Sequence, residues 1–92
     1  MQINILKEEK DEMDIEIDNL TIVEILRTYL NKDSEVSLAA WRREHFQKPA
    51  VLKIKTKGKT AKKALDDAIS LIQKEAEKLA EEVKNSKVKN NF

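Results

Sequence analysis

The chain has 92 residues and a net charge of +1; 38% of it is charged, 4% is aromatic, and there is one Gly, one Pro and no Cys. That is room for one domain with a modest core, and it excludes a disulfide framework, thiol chemistry and a thiolate metal site. Patterned apolar residues at 40% exclude a disordered chain, and the lack of a basic-then-apolar leader or a bilayer-length apolar run points to a cytoplasmic protein.

Gln2–Lys7 alternates, with Ile3 and Ile5 on one side. Glu12–Ile17 alternates more cleanly, with Met13, Ile15 and Ile17 opposite Glu12, Asp14 and Glu16. Separated by the polar Glu8–Asp11, the two runs predict an antiparallel hairpin with one face buried. A helix is expected next. Thr21-Ile22-Val23-Glu24 fits a capping box, with Leu20 and Ile25 as its hydrophobic staple. The apolar positions Ile22, Val23, Ile25, Leu26, Tyr29 and Leu30 cover an arc wider than a sheet on one side requires. Asn31–Ser34 supplies turn formers.

Val36–Trp41 reads as a third strand with Val36, Leu38 and Ala40 facing one way, and Arg42–Pro49 as a polar loop. Val51–Thr56 reads as a fourth strand, Leu52 and Ile54 inward and Lys53 and Lys55 outward. Lys57-Gly58-Lys59 makes the turn and Thr60 is placed to cap the last helix. Thr60–Val83 then carries Leu65, Ile69, Ile72, Ala76, Leu79 and Val83 at alternating steps of four and three, a single helical stripe. Such a helix is about 36 Å long at 1.5 Å per residue. The expected architecture is α+β: β-β-α-β-β-α, a four-stranded antiparallel sheet with both helices on its apolar face and a long C-terminal helix. Residues 1–84 form the domain and the polar stretch 85–92 is expected to fray.

Charge is distributed unevenly. Residues 1–40 hold four bases against ten acids, 41–63 nine bases against Glu44 alone, and 64–92 five bases against six acids. The row Lys53, Lys55 and Lys57 either tracks nucleic acid or faces the equally spaced Glu12, Asp14 and Glu16 of a neighbouring strand. On the second reading Arg42, Arg43, Lys59, Lys62 and Lys63 are left as a basic docking patch. Trp41 is placed either to anchor an interface or to cap the core.

Nothing in the sequence assembles a catalytic site. The lone His45 lies in a polar loop beside Phe46, and no metal-ligand spacing, phosphate-binding Gly motif or nucleophile–base set is present. No enzymatic activity, cofactor, small-molecule substrate or membrane contact is expected. The surplus of apolar helix surface instead predicts a partner, with Ile22, Ile25, Leu26 and Tyr29 of the first helix and Leu65, Ile69, Ile72, Leu79 and Val83 of the second making or supporting the contact.

Over nearly its whole length the chain resembles the archaeal RNA polymerase subunit L family, which is related to the small partner of the eukaryotic assembly heterodimer and to the dimerising domain of the bacterial alpha subunit. The opening Met1–Lys7 is similar to that family's first strand. Asp18-Asn19-Leu20-Thr21 followed by Ile25-Leu26-Arg27 stands where the family has an acid, histidine and threonine signature and then a leucine pair with arginine. Val36–Trp41, His45, Leu52–Thr56 with Gly58, and Ala64-Leu65 correspond to its third strand, a His-Pro pair, its fourth strand and turn, and its last helix. The chain departs from the pattern at Leu20 for histidine, Phe46 for proline and Lys57 for an acid. The resemblance implies a non-catalytic subunit of a DNA-directed RNA polymerase. It would pair with a larger subunit, D, through its two helices and form the platform on which the large catalytic subunits assemble in transcription, without reading nucleic-acid sequence itself. The rival reading is a small chromatin-type nucleic-acid-binding dimer, suggested by Leu52–Lys59 running into a Lys-rich helix start.

Overall fold

The structure, a computed structural model, describes residues 2–87. In chain order the elements are β1 (Ile3–Glu8), β2 (Glu12–Ile17), α1 (Leu20–Leu30), β3 (Val36–Arg42), β4 (Ala50–Thr56) and α2 (Ala61–Lys87). The strands form one antiparallel sheet in the order β1-β2-β4-β3. Both helices lie on one face of it: α1 over β3, β4 and β2, and α2 over β4 and β2. This is the α+β two-layer arrangement expected.

The alternation of β2 and β4 builds the core. Met13, Ile15 and Ile17 of β2 and Ala50, Leu52 and Ile54 of β4 are buried against Val23, Leu26 and Leu30 of α1 and Ala61, Ala64 and Ala68 of α2. Each large side chain among them contributes about 1.5–3 kcal/mol by leaving water. The three alanines let α2 approach the sheet closely.

Three local expectations fail for identifiable reasons. The capping box at Thr21 is not used. Asn19 caps α1 instead, its Oδ1 accepting the Ile22 N–H at 3.1 Å, so the helix begins two residues before the expected first turn. Glu24 is thereby freed to pair with Arg27 and with the Trp41 indole. In β3, a register shift between Val36 and Leu38 turns the later residues over. Ala39 and Trp41 then face inward opposite Ile54 and Leu52, while Leu38 and Ala40 sit opposite Lys55 and Lys53 on the outer face. One extra residue on a strand is enough to exchange its faces. In β1, Ile3 and Ile5 do lie opposite Ile17 and Ile15, on the helix-bearing side, yet they remain 51% and 53% exposed because the helices pack over β2, β3 and β4 and leave this edge strand largely uncovered.

The connection into α2 forms as expected. Gly58 has φ +96°, a left-handed conformation costly for any residue with a Cβ, and the Glu35 carboxyl lies 3.3 Å from where that Cβ would stand. The Lys63 N–H donates to Thr60 Oγ1 at 3.1 Å, and the Ala61 N–H donates to the Lys10 carbonyl at 2.8 Å, tying the helix start to the β1–β2 turn. α2 continues through Asn85 to Lys87, into the stretch expected to fray; residues 88–92 lie outside the described residues.

Two sites test these contacts. Asn19→Ala should lower the unfolding free energy in urea by about 1 kcal/mol, whereas Thr21→Ala should change it by less than about 0.5 kcal/mol; the reverse ranking would restore Thr21 as the cap. Thr56 is 5% exposed and its Oγ1 has no hydrogen-bond partner among the described residues. Replacing an unsatisfied buried hydroxyl by a methyl of similar size removes a desolvation cost of about 1–3 kcal/mol, so Thr56→Val should raise the midpoint of the same urea transition.

Candidate functional site

α1 divides its apolar residues between two lines. Val23, Leu26 and Leu30 enter the core, while Ile22, Ile25 and Tyr29 are half-buried along its flank. α2 divides its residues by length. Ala61, Ala64 and Ala68 are buried and Leu65 and Ile72 half-buried, Ile69 is 39% exposed, and every residue from Gln73 to Asn85 is exposed. Leu79 and Val83 are 61% and 57% exposed. A helix of 27 residues is about 40 Å long, whereas strands of six or seven residues span about 20 Å. Half of α2 therefore runs past the sheet with its apolar stripe in water.

Of the nine residues the sequence proposed for partner contact, Leu26 is buried in this chain's own core and can only support the surface. Ile22, Ile25, Tyr29, Leu65 and Ile72 lie at the boundary between core and solvent, and Ile69, Leu79 and Val83 are open. Sequence reasoning missed Leu71, 38% exposed, and the two isoleucines of β1. Ile3 and Ile5 were assigned to the correct face, but their alternation cannot tell whether a helix covers an edge strand.

The angle at which α2 leaves the sheet is held at the C-terminal end of α1. Tyr29 donates its phenol to the Glu75 carboxylate, and Lys32 Nζ stands 4.3 Å from the Tyr29 ring centroid. Lys59 Nζ bridges Asp33 at 2.6 Å and Asp67 at 2.8 Å. Asp33 keeps the Lys59 ammonium charged well above the usual lysine range, with Asp67 adding to it; Lys59 in return holds both carboxyls below theirs.

These pairs correct the basic patch. Lys59 is taken up as described, Lys62 pairs with Asp66 at 2.8 Å and Lys63 with Asp67 at 3.0 Å. Arg42 ends β3 and Arg43 follows it, at the opposite end of the sheet, so the five residues form no single surface. The lysine row meets its acids across the sheet. Lys55 lies opposite Glu12 and Lys53 opposite Asp14, and Lys53 Nζ approaches Glu12 at 2.9 Å and Asp14 at 3.1 Å. Lys53, and then Lys7, hold the Glu12 carboxyl at about 2. Trp41 is half-buried and donates its indole N–H to Glu24, which places it over the core. His45 is exposed in the β3–β4 loop, and no cluster of three metal-ligating side chains occurs among the described residues. No helix among them is long and apolar enough to cross a membrane.

The site is thus a helical face, open on one side, whose residues suit burial against a second chain. The profile of the RNA polymerase Rpb3/Rpb11 dimerisation domain matches residues 12–82, and the chain belongs to that family. Among solved structures it is similar to DNA-directed RNA polymerase subunit L from Thermoplasma acidophilum, with a TM-score of 0.79 and 16% identity over 99% of this chain and 97% of that one. No curated protein matches it. The family makes this an RNA polymerase dimerisation domain, and the fold agrees with it.

The Glu24 contact that holds α1 to β3 gives a pH test. Its hydrogen bonds to Arg27 and then Trp41 bring the Glu24 carboxyl down from the usual 4.5 to about 2. A depressed carboxyl contributes stability that is complete above pH 4.5 and is lost as pH falls towards 2. Glu24→Gln should therefore flatten the acid side of the stability curve between these values, measured by urea unfolding at a series of pH values. An unchanged slope would show that the contact does not form.

Proposed function

We propose that this chain is the small member of an assembly heterodimer in an archaeal-type, cytoplasmic RNA polymerase. It pairs with the larger subunit, D, through the open face of α1 and α2 and gives the large catalytic subunits a platform, with no chemistry of its own. The observation that carries this reading is the distal half of α2, where Leu79 and Val83 are more than half exposed although Leu65 and Ile72 of the same stripe are half-buried near the sheet. Membership of a dimerisation family supplies a reason for such a surface. Obligate contacts of this sort bury about 2,000 Å² or more in total, and a helix extending some ~20 Å past its sheet is suited to that area.

The chromatin-type alternative loses its footing. A phosphate track along Lys53–Lys59 requires a row of free ammonium groups, but Lys53 and Lys59 each bridge two carboxylates, which leaves only Lys55 and Lys57 of the row without an ion pair among the described residues.

Co-expression with a candidate for the larger partner, followed by sizing, is the direct test. Because neither side chain is part of the core, Leu79→Glu with Val83→Glu should leave the helix content of the chain intact. The pair of substitutions should weaken association about 30-fold or more, the loss of at least ~2 kcal/mol typical of central interface anchors. Ile72→Glu, nearer the core, should abolish pairing. Normal co-purification of the Leu79/Val83 variant would refute the assignment.

A further inference from the structure

The β3–β4 loop carries a second, unrelated surface. Phe46 is 71% exposed, the most open of the large apolar side chains described. It is not a loose side chain on a loose loop. The His45 and Phe46 rings stack with centroids 4.6 Å apart and planes 26° from parallel. The His45 ring is itself fixed, its Nδ1 accepting the Gln47 N–H at 3.2 Å, while the Lys48 N–H donates to the His45 carbonyl at 2.8 Å and closes the turn. A preorganised aromatic held in water contributes nothing to this chain's core. It does reduce the entropy lost when another surface closes over it.

The surroundings state the chemistry of that other surface. Arg42, Arg43 and Lys48 make no ion pair within 4.0 Å among the described residues, unlike Lys53, Lys59, Lys62 and Lys63, and only Glu44 opposes them in the loop. Beside the loop, on the sheet face away from the helices, lies a cleft of about 250 Å³, with Leu6, Pro49 and Val51 as its apolar part and Glu16, Glu44, Arg42 and Lys48 as its charged part; Arg43 stands outside it. The loop joins β4 at Ala50, and the turn into α2 leaves the other end of that strand at Thr56. The length of a seven-residue strand, about 20 Å, thus separates the loop from the start of the long helix.

We propose that this loop is a docking site for a protein other than the helix-face partner, one presenting an apolar socket rimmed by Asp and Glu. Phe46 enters the socket and Arg42, Arg43 and Lys48 meet the rim. Charge complementarity favours an acidic protein surface. Single-stranded nucleic acid is disfavoured, because one aromatic already stacked on its neighbour gives successive bases no platform. Taken with the function proposed above, on which this assignment rests, the subunit becomes a bridge. Its helices hold one polymerase subunit and this loop holds another.

The test uses the purified pair of this chain with its larger helix-face partner, titrated with the large catalytic subunits of the same polymerase. Phe46→Ala should leave pair formation and melting unchanged and weaken assembly with the large subunits about 30-fold. Arg42→Glu with Arg43→Glu should weaken it further at low salt, with the added loss shrinking as salt screens the charges. Wild-type assembly by both variants would overturn the loop site and leave the helix-face reading standing. Failure of the unaltered chain to pair through its helices would overturn that reading and the bridge with it. Phe46-dependent self-association, or oligonucleotide binding lost in the same variants, would assign the loop to another occupant and overturn the proposal.

Discussion

The rest of the structure depends on a mismatch of length. A sheet whose strands span about 20 Å can shield about half of a helix twice that long. The near half of α2 meets the sheet through Ala61, Ala64 and Ala68, small residues that bring the backbone close and leave little side chain to bury. Leu65 and Ile72 stay half-buried beside them, whereas Leu79 and Val83 of the far half are covered by no element among the described residues. Burial along one helix thus separates a folding segment from the segment proposed to bind.

Electrostatics fixes where the exposed half of α2 points. Lys59 sits just before α2 and reaches both Asp33 after α1 and Asp67 within the second turn of α2. Tyr29 and Glu75 make a second tie between the same helices farther along. Two ties at separate points on α2 define a direction, where one would define only a pivot. Pairs of this kind near the surface add little stability individually; their effect is to select one crossing of the helices over others. On the outer sheet face the same economy appears as cross-strand matching, in which the basic middle of the chain is neutralised by its acidic beginning.

The fold was legible because β2 and β4 alternate without interruption and α2 keeps its stripe over about six turns. Elements, order, helix face and the turn at Gly58 all follow from such patterns. Alternation failed at β3, where one shifted residue reversed the inward set from Leu38 and Ala40 to Ala39 and Trp41. No local pattern announces a bulge, because its cause is pairing with β4. The cap of α1 failed for a different reason. Asn19 and Thr21 are both good caps two residues apart, and the choice rests on where the chain leaves β2. The exposed stripe of the candidate site was legible from length alone. The isoleucines of β1 were not recognised as open because strand order decides which strand lies at the edge. The basic patch was misread because it grouped residues close in sequence, whereas the fold sends them to opposite ends of β4.

The response of the molecule to change follows from the same separation. The last buried residue of α2 among those described is Ala68, and every residue from Gln73 to Asn85 is exposed. Gln73–Asn85 is held by its own hydrogen bonds and by residues such as Ala, Glu, Lys and Leu that favour the helix intrinsically. An isolated helix of that length is marginal in water, so the segment owes its order to the anchored half behind it. A partner that covers Leu79 and Val83 therefore gains a surface already shaped and loses little entropy in ordering it. On the proposed function, substitutions there should change association while leaving the fold alone, and substitutions before Ala68 should change both.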